Sequence, residues 1–311
     1  MSPPDAVLIS EVGPRDGLQS VKAVMPTAAK CAWISALHAA GLREIEVASF
    51  VPAQLLPQMA DAAAVVRHAL RLPGWTVIAL VPNRRGAEGA LAAGVHKLTV
   101  PVSASAAHSL ANVRKTREQM IDEVRSIDAL RRERAPDVQL EVGMSTAFGC
   151  TLQGPVPEDE VIRMAGELIA AGVDECGLSD TTGHANPAQV QRLFRRLRAE
   201  IGERAGAAHM HNTRGLGLAN CLAAFEVGVQ TFDASLGGLG GCPYAPGASG
   251  NVVTEDLVFM FEAMGVETGV NIERLLAARA PLMAGLPGEP IYGMTPEAGV
   301  PKGFVQGAVN V

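Results

Sequence analysis

Short runs of apolar and β-branched residues alternate with longer Ala- and Leu-rich stretches of helical periodicity along most of the chain. This alternation is typical of a parallel sheet whose strands are joined by crossover helices. The strand-like runs predict strands at residues 7–11, 44–47, 76–80, 97–100, 138–143, 175–178, 207–211 and 231–234. The helical stretches predict helices that include residues 27–40, 56–69, 109–134, 158–171, 187–201 and 216–227. Glycine follows several of them, as a helix-ending residue does.

Eight strand–helix units is the number that closes a barrel, and no stretch of the sequence resembles a linker between domains. We therefore predict an α/β fold, a single (β/α)₈ TIM barrel over residues 1–311, rather than a doubly wound sheet. The residues from about 252 to 311 are predicted to begin as a closing helix and to continue as a Gly- and Pro-spaced extension. This C-terminal helical extension would pack over the barrel or over a neighbouring subunit.

Composition narrows the class of protein. The 311 residues are 48% hydrophobic and 19% charged, which is enough apolar content for a large core. The formal charge of -6 and the absence of a dense basic run disfavour nucleic acid as a partner. No targeting pattern and no run of about 18 apolar residues is found, so we expect a cytoplasmic protein without membrane association. The five cysteines form no C-x-x-C pair, which disfavours a disulfide scaffold and a zinc knuckle.

Polar residues fall where the predicted strands end. In (β/α)₈ barrels the side chains at the C-terminal strand ends and on the following loops carry the chemistry. Here those positions hold Arg15, Asp16, Glu46, Ser49, Asn83, Ser103, Ser145, Thr146, Asp180, Thr181, His209 and His211.

Two histidines in the sequence His209-Met210-His211 are candidate metal ligands. On a strand this spacing sends both imidazoles to the same face, and one face of a barrel strand is the lumen. Neutral imidazole is among the commonest transition-metal ligands. The alternative interpretation is a pair of hydrogen-bonded histidines near a strand end.

Asp16 and Asn251 are candidate oxygen ligands. Asp16 follows the first strand through a tight Gly-Pro turn, beside Arg15; the alternative for this pair is an ordinary surface ion pair. Asn251 closes a glycine-rich loop, residues 236–251, that fits neither common nucleotide-binding motif. We predict that this loop is a mobile lid carrying a reactive group, although a flexible connection would explain the glycines too.

Cys242 lies in the middle of that loop, where a thiol would be reachable. Over a metal site it would be a credible proton donor or acceptor. By contrast, Cys31, Cys176 and Cys221 fall in helical or strand patterns and are predicted to be small core hydrophobes.

Four segments together carry a resemblance to a known family. They resemble segments of the 3-hydroxy-3-methylglutaryl-CoA lyases. The four segments are residues 11–19, 45–50 with Pro57-Gln58-Met59, 209–220 and 237–257. These belong to the metal-dependent lyases and Claisen-condensing enzymes built on a (β/α)₈ barrel. The likeness runs from about residue 7 to about 275. Its most specific part is the loop GLGGCPYAPGASGN, residues 238–251, which separates the lyases from the condensing synthases.

The resemblance implies a retro-Claisen lyase that uses Mg²⁺ or Mn²⁺, takes a CoA thioester and forms a homodimer. It implies that Asp16, His209, His211 and Asn251 are the metal ligands. It further implies that Arg15 is the catalytic arginine, that Glu46 is an essential acid and that Cys242 is the lid cysteine.

The acyl-CoA would enter across the barrel mouth. Lys22, together with Arg84 and Arg85, offers charge for the CoA phosphates, although ordinary solvated surface charge explains these three equally well. The other expected substrate contacts are polar residues at strand ends: Ser49, Asn83, Ser145, Thr146 and Asp180.

Two departures from the usual lyase pattern affect the expected substrate. Asn212-Thr213-Arg214 follows His211 where Asp and Thr are usual, and Ser179 stands where glycine is more familiar. A lyase for a related thioester such as citramalyl-CoA therefore stays open, as does a condensing acyltransferase of the isopropylmalate or homocitrate synthase type. A metal-binding scaffold without catalysis would leave Arg15, Glu46 and Cys242 unexplained.

Overall fold

Eight parallel strands form a closed barrel in the computed structural model, which describes residues 4–240 and 250–307. The strands pair in sequence order, and the first closes the barrel against the last. They are β1 (Leu8–Glu11), β2 (Glu44–Ser49), β3 (Thr76–Leu80), β4 (Lys97–Ser103), β5 (Gln139–Ser145), β6 (Glu175–Ser179), β7 (Ala205–His209) and β8 (Thr231–Ala234). The predicted fold class is confirmed.

The strands form because their side chains are enclosed on both faces, by the lumen and by the outer helices. All six residues of β2 are buried, although three of them are polar. Register fixes which residues share the lumen: His209 of β7 lies beside Asp233 of β8, and Asp233 lies beside Ser10 of β1. Polar groups of different strands are thereby brought together at one level of the barrel.

Helices cover the outside of the barrel. They are Thr27–Ala39, Ala62–Ala69, Arg84–Ala93, Ala106–Val113, Arg117–Arg134, Glu158–Ala170, Pro187–Ile201, Gly217–Phe225 and Thr254–Ala263. The helix Pro187–Ile201 shows why they form: the Asn186 side chain caps the backbone N–H of Gln189 at 3.1 Å, and proline takes the first helical position. Its apolar residues at helical spacing are buried against the barrel.

Several predicted boundaries differ from the structure. The predicted helix 109–134 is two helices, because Arg114 adopts a left-handed conformation (φ 56°) and Thr116 begins the second helix with a capping box. The helix Arg84–Ala93 was not predicted, since Gly86 and Gly89 interrupt its periodicity. Both glycines lie against Phe50, where an added Cβ would come within 2.9 Å of Phe50 atoms.

The largest difference from the predicted strands concerns β7. The sequence predicts a strand through residue 211, but β7 ends at His209. His211 instead forms an isolated antiparallel bridge with Asn251. A pairing with a segment 40 residues further along the chain therefore replaces continuation of the strand.

The C-terminal extension returns to the mouth of the barrel. After the closing helix come Ile272–Ala277, Arg279–Gly285 and Met294–Ala298. The backbone N–H of Tyr292 donates to the carbonyl oxygen of Gly237 at 2.7 Å, so the extension packs on the loop that follows β8. Within the described ranges, no helix is long and apolar enough to cross a membrane.

Candidate active site

Asp16, His209 and His211 converge at the mouth of the barrel, with potential ligand atoms that all lie within 4.8 Å of one another. The Nε2 atoms of the two histidines are 3.1 Å apart, and His209 Nε2 is 4.0 Å from Asp16 Oδ2. Asp16 lies in a buried π-helical turn, Gly13–Gly17, directly after β1. The structure thus brings together residues almost 200 positions apart in sequence.

Asn251 completes this cluster. Its Nδ2 donates to Asp16 Oδ2 at 2.7 Å, and its backbone is held beside His211 because Val252 N–H donates to the carbonyl oxygen of Met210. The side chain is buried, and its Oδ1 has no hydrogen-bond partner in the described part of the chain. Rotating the amide would bring this oxygen beside the Asp16 carboxylate, an arrangement of two acceptors that a cation would stabilise.

The donors therefore fit a divalent metal. A carboxylate oxygen, two imidazole nitrogens and an amide oxygen are all common ligands of divalent metal ions. The imidazole Nε2 atoms and the carboxylate face one another, with Asp16 and His211 buried and His209 half-buried. The Asn251 amide oxygen at the same place makes no hydrogen bond to the described residues, whereas buried polar atoms normally find a partner.

Asp233 orients the His209 ring, whose Nε2 faces the cluster. Its Oδ2 lies 3.0 Å from His209 Nδ1, so the proton of the neutral imidazole is held on Nδ1 and the lone pair on Nε2 is left toward Asp16 and His211. We did not single out Asp233 from the sequence. The signal that could have found it is a carboxylate between the buried Phe232 and Ala234, near the end of the last strand.

The charges of the cluster are set by burial and by close neighbours. Burial opposes ionisation of Asp16, but Arg15 and both histidines outweigh it and lower its pKa to about 2. Burial and the charge of His209 lower the pKa of His211 to about 4. Burial also disfavours the charged form of His209, yet its hydrogen bond to Asp233 raises the pKa of His209. The cluster therefore offers an ionised carboxylate and a neutral His211 at neutral pH.

Arg15 is locked between two carboxylates. Its Nη1 donates to Asp16 Oδ1 at 2.6 Å and its Nε donates to Glu46 Oε2 at 2.6 Å, while Arg15 and Asp16 are only 8% and 9% exposed. Because both side chains are buried, the alternative of an ordinary surface ion pair does not hold. Burial opposes the guanidinium charge, but Glu46 and Asp16 more than compensate and raise the pKa of Arg15.

Two carboxyl groups near the cluster keep an unpaired oxygen among the described residues. Burial, opposed by Arg15, raises the pKa of Glu46 to about 7, and Glu46 Oε1 has no hydrogen-bond partner. Asp180 accepts two backbone N–H groups through Oδ1, from His184 and Ala185, while Oδ2 has no partner. Burial raises the pKa of Asp180 to about 7. Burial therefore favours the protonated form of both carboxyl groups more than water would.

The other expected substrate contacts have differing environments. Asn83 caps the helix Arg84–Ala93 by accepting from Gly86 N–H, and Thr146 is fully buried with its hydroxyl bonded to backbone groups. Ser49 is buried with a hydroxyl that lacks a partner among the described residues, and Ser145 is half-buried at the end of β5. Lys22 is exposed in the loop after residues 18–20.

Two arginine side chains, those of Arg84 and Arg214, donate to backbone carbonyl oxygens. The Arg84 side chain donates to the carbonyl oxygen of Ser126 on the neighbouring helix Arg117–Arg134. Arg214, the departure noted after His211, donates to the carbonyl oxygens of Thr182 and Gly183 in the loop after β6. Arg214 therefore joins the two loops that flank Asp180 and the histidines.

Cys242 lies outside the described residues, as does the rest of the segment 241–249. Of the other cysteines predicted to be core residues, Cys176 and Cys221 are fully buried, and burial raises the pKa of Cys176 to about 12. Cys31 is only partly buried on the helix Thr27–Ala39, so the core prediction is wrong for this residue.

Replacement of Asp233 by asparagine is expected to weaken metal binding by about 10- to 100-fold, the usual effect of removing an acceptor that orients a ligand histidine. The asparagine amide can donate to Nδ1, which moves the imidazole proton to Nε2 and removes the lone pair from the cluster. Titration with Mn²⁺ followed by electron paramagnetic resonance measures this change. An Asp233→Asn variant with unchanged Mn²⁺ affinity would show that Asp233 does not set the His209 tautomer.

Comparisons with known proteins were made for both sequence and structure. The family described as HMGL-like matches residues 6–281. The chain is 42% identical over 275 residues to hydroxymethylglutaryl-CoA lyase of Bacillus subtilis, covering 88% of this chain and 91% of that protein. It is 40% identical to the mitochondrial hydroxymethylglutaryl-CoA lyase of Rattus norvegicus, covering 88% of this chain and 84% of that protein.

Solved structures of HMG-CoA lyases also superpose on this chain. An HMG-CoA lyase from Acinetobacter baumannii, in complex with coenzyme A and 3-methylmalate, superposes with a TM-score of 0.90 at 39% identity, over 96% of this chain and 97% of that one. The HMG-CoA lyase of Bacillus subtilis superposes with a TM-score of 0.91 at 39% identity, over 96% and 99% of the two chains.

Proposed function

The chain belongs to the HMGL-like family, and from this premise we propose that it is a divalent-metal-dependent carbon–carbon lyase. Its substrate is 3-hydroxy-3-methylglutaryl-CoA, and its products are acetyl-CoA and acetoacetate. The observation that carries the proposal is the buried convergence of Asp16, His209 and His211 with Arg15 at the barrel mouth. Cleavage of this thioester needs an activated hydroxyl group and a stabilised enolate, and these residues offer both.

Asp16, His209, His211 and Asn251 would hold the metal. Bound Mg²⁺ or Mn²⁺ supplies Lewis acidity toward the 3-hydroxyl and carboxylate oxygens of the substrate. Asp233 holds the proton of neutral His209 on Nδ1, and Arg15 keeps the Asp16 carboxylate ionised. The ionised Asp16 and the neutral His211 are in the protonation state that metal binding requires.

Arg15 provides the permanent positive charge of the site. When the carbon–carbon bond breaks, its electron pair moves onto the α-carbon and the thioester oxygen of the acetyl fragment. A guanidinium already fixed by Glu46 and Asp16 needs no reorganisation to stabilise that developing negative charge. We assign Arg15 this role because two carboxylates fix its guanidinium at the barrel mouth, directly beside the candidate metal ligand Asp16.

Two protons must move during turnover. The 3-hydroxyl loses one as the ketone of acetoacetate forms, and the enolate carbon gains one to become acetyl-CoA. Cys242, on the loop that ends at Asn251, is our candidate carrier for the proton exchanged with carbon. Glu46, whose pKa is raised to about 7, orders the network through Arg15 and is suited to proton exchange near neutral pH.

We also propose the remaining features of the working enzyme. The metal is Mg²⁺ or Mn²⁺, Lys22 contacts the CoA phosphates, and Ser49, Ser145 and Asp180 face the acyl group. Asn83 and Thr146 act on the substrate only through the loops that they hold. The protein works in the cytoplasm as a homodimer that needs neither a membrane nor nucleic acid, in keeping with its net charge of -6.

Replacement of Cys242 by serine is expected to reduce kcat steeply, by about 100-fold or more, while fold and bound metal are retained. A hydroxyl is too weak an acid to exchange protons at the rate of a thiol. Steady-state kinetics beside metal analysis measures the effect, with Cys31→Ser as the matched control. A Cys242→Ser variant with normal kcat would remove Cys242 from the mechanism.

The substrate is tested by incubating the Mn²⁺-loaded protein with a panel of thioesters and identifying the products by mass. The proposal expects acetyl-CoA and acetoacetate from 3-hydroxy-3-methylglutaryl-CoA to form fastest. Faster release of acetyl-CoA and pyruvate from citramalyl-CoA would assign the alternative lyase. Formation of a new carbon–carbon bond from acetyl-CoA and a 2-oxo acid, without cleavage activity, would assign the condensing class.

A further inference from the structure

Glu11 is a fully buried carboxylate at the end of β1 that no step of the mechanism uses. It is absent from the potential ligands of the cluster. Burial raises its pKa to about 8. A buried carboxyl group is costly unless its oxygens are well satisfied, so its hydrogen-bond partners indicate what it holds in place.

Three donors from separate segments converge on Glu11. Oε1 accepts from Gly13 N–H at 2.9 Å and from Leu236 N–H at 2.9 Å, and Oε2 accepts from the Thr254 hydroxyl at 2.7 Å. The first and last of these donors are 241 positions apart, as their residue numbers show. One side chain therefore connects the beginning of the barrel sequence to two segments that follow its last strand.

Each donor adjoins a part of the candidate site. Gly13 opens the turn Gly13–Gly17, which carries Arg15 and Asp16. Leu236 opens the turn Leu236–Gly238, which begins the loop after β8, and Thr254 begins the helix that follows Asn251. Glu11 thus holds the metal-site turn to both ends of the segment that carries Asn251.

Gly13 and Gly237, which lie beside the Glu11 hydrogen bonds, have surroundings that suit this network. An added Cβ at Gly13 would come within 2.5 Å of Glu11 Oε1, so only glycine allows the carboxylate to reach the backbone there. The next N–H of the same turn, that of Gly237, donates to a second buried carboxylate, Glu255, at 3.0 Å. The adjacent backbone N–H groups of Leu236 and Gly237 therefore donate to two buried carboxyl groups, those of Glu11 and Glu255.

We infer that Glu11 is a positioning residue that sets the distance between Asp16 and Asn251, and so sets the metal affinity of the site. The inference rests on the proposed function, because it takes these two residues as metal ligands. Without the carboxylate, two buried backbone N–H groups lose their acceptor, and the turn and the loop lose their common anchor.

The chemistry of Glu11 provides a conservative variant. In Glu11→Gln the amide oxygen can accept both N–H groups, and the amide nitrogen can donate to the Thr254 hydroxyl oxygen. Glu11→Ala removes all three bonds. A residue that acts by position is expected to tolerate glutamine and not alanine.

The experiment measures Mn²⁺ affinity by electron paramagnetic resonance for the wild type, Glu11→Gln and Glu11→Ala. We expect Glu11→Ala to bind Mn²⁺ about 10- to 100-fold more weakly and Glu11→Gln to stay within about threefold of the wild type. If Glu11→Ala does not fold, Thr254→Val replaces it, because it removes only the hydroxyl donor and is expected to weaken Mn²⁺ binding by a smaller factor.

Glu262→Ala is the matched control. Glu262 is also buried, on the same closing helix as Thr254, and it accepts from a backbone N–H and a hydroxyl group, both of Thr268. It is expected to lower the thermal unfolding midpoint without changing Mn²⁺ affinity. An equal loss of affinity in Glu262→Ala would reduce the Glu11 effect to general destabilisation and overturn the inference.

Hydrogen exchange of the metal-free protein separates this inference from the proposed function. Glu11→Ala is expected to speed exchange in the peptides that contain Gly13 and Leu236, whether or not the protein uses a metal. Unchanged exchange there, or unchanged Mn²⁺ affinity in folded Glu11→Ala, would overturn the positioning role. Wild-type protein that binds no Mn²⁺ but shows faster exchange in Glu11→Ala would overturn the metal site instead.

Discussion

Replacement of Asp16 or His209 by alanine is expected to abolish turnover, chiefly because the protein no longer holds its metal. Each variant removes one of four ligands from a buried site, and an incomplete ligand set binds far more weakly. In Asp16→Ala, Arg15 also loses one of its two carboxylate partners and Asn251 loses its acceptor. We therefore expect Asp16→Ala to be the more damaging of the two, with activity at least about 1,000-fold below the wild type.

The measurement pairs metal content with activity for each purified variant. His38→Ala is the matched control, because His38 lies on the outer helix Thr27–Ala39 and its ring bonds to the carbonyl oxygen of Pro73. It should keep stoichiometric metal and full activity. Stoichiometric metal at wild-type affinity in Asp16→Ala or His209→Ala would contradict the assignment of these residues as ligands.

Replacement of Arg15 by glutamine is expected to lower kcat by about 1,000-fold or more, since the guanidinium charge is used most in the transition state. Loss of the cation also leaves Asp16 and Glu46 as buried carboxylates without their shared partner. Breaking a buried ion pair in this way costs about 3–5 kcal/mol of unfolding free energy. Arg15→Gln should therefore be less stable as well as inactive.

Arg15→Lys separates the two effects. Lysine keeps the charge, so much of the stability should return, but an ammonium group cannot donate to Asp16 and Glu46 in the fork geometry of a guanidinium. We expect low kcat with a melting temperature closer to that of the wild type. Near-normal kcat in either variant would assign Arg15 a structural role in the ion-pair network only.

The sequence allowed the barrel and the convergence of Asp16, His209 and His211 to be predicted, because both follow from the pattern of the strands. Eight strand-like runs alternate with helical stretches, and strand ends in such a barrel meet at one rim, which brings Asp16 near His209 and His211. The partners of these residues depend on register across the closed barrel. The sequence pattern therefore does not predict the role of Asp233, although Asp233 is hydrogen-bonded directly to His209.

Polar residues at the rim show the other limit of sequence reasoning. Asn83 and Thr146 stand at strand ends as Asp180 does, but their side chains satisfy backbone groups. Asp180 keeps an unpaired oxygen among the described residues. Which of these polar groups remains available is decided by loop conformation, and short periodic patterns do not encode it. Loop conformation also explains why β7 ends at His209. The next lumen-facing residue, His211, pairs instead with Asn251 of a distant segment.

The central claim is metal-dependent cleavage of 3-hydroxy-3-methylglutaryl-CoA at the site built by Asp16, His209, His211, Asn251 and Arg15. The most direct test is to strip the protein of metal, add Mn²⁺ in steps and measure acetyl-CoA and acetoacetate together. We predict negligible product from the stripped protein and equal amounts of both products after Mn²⁺ is added, with activity saturating at one Mn²⁺ per chain. Full activity in the stripped protein, or no cleavage at saturating Mn²⁺, would contradict the account.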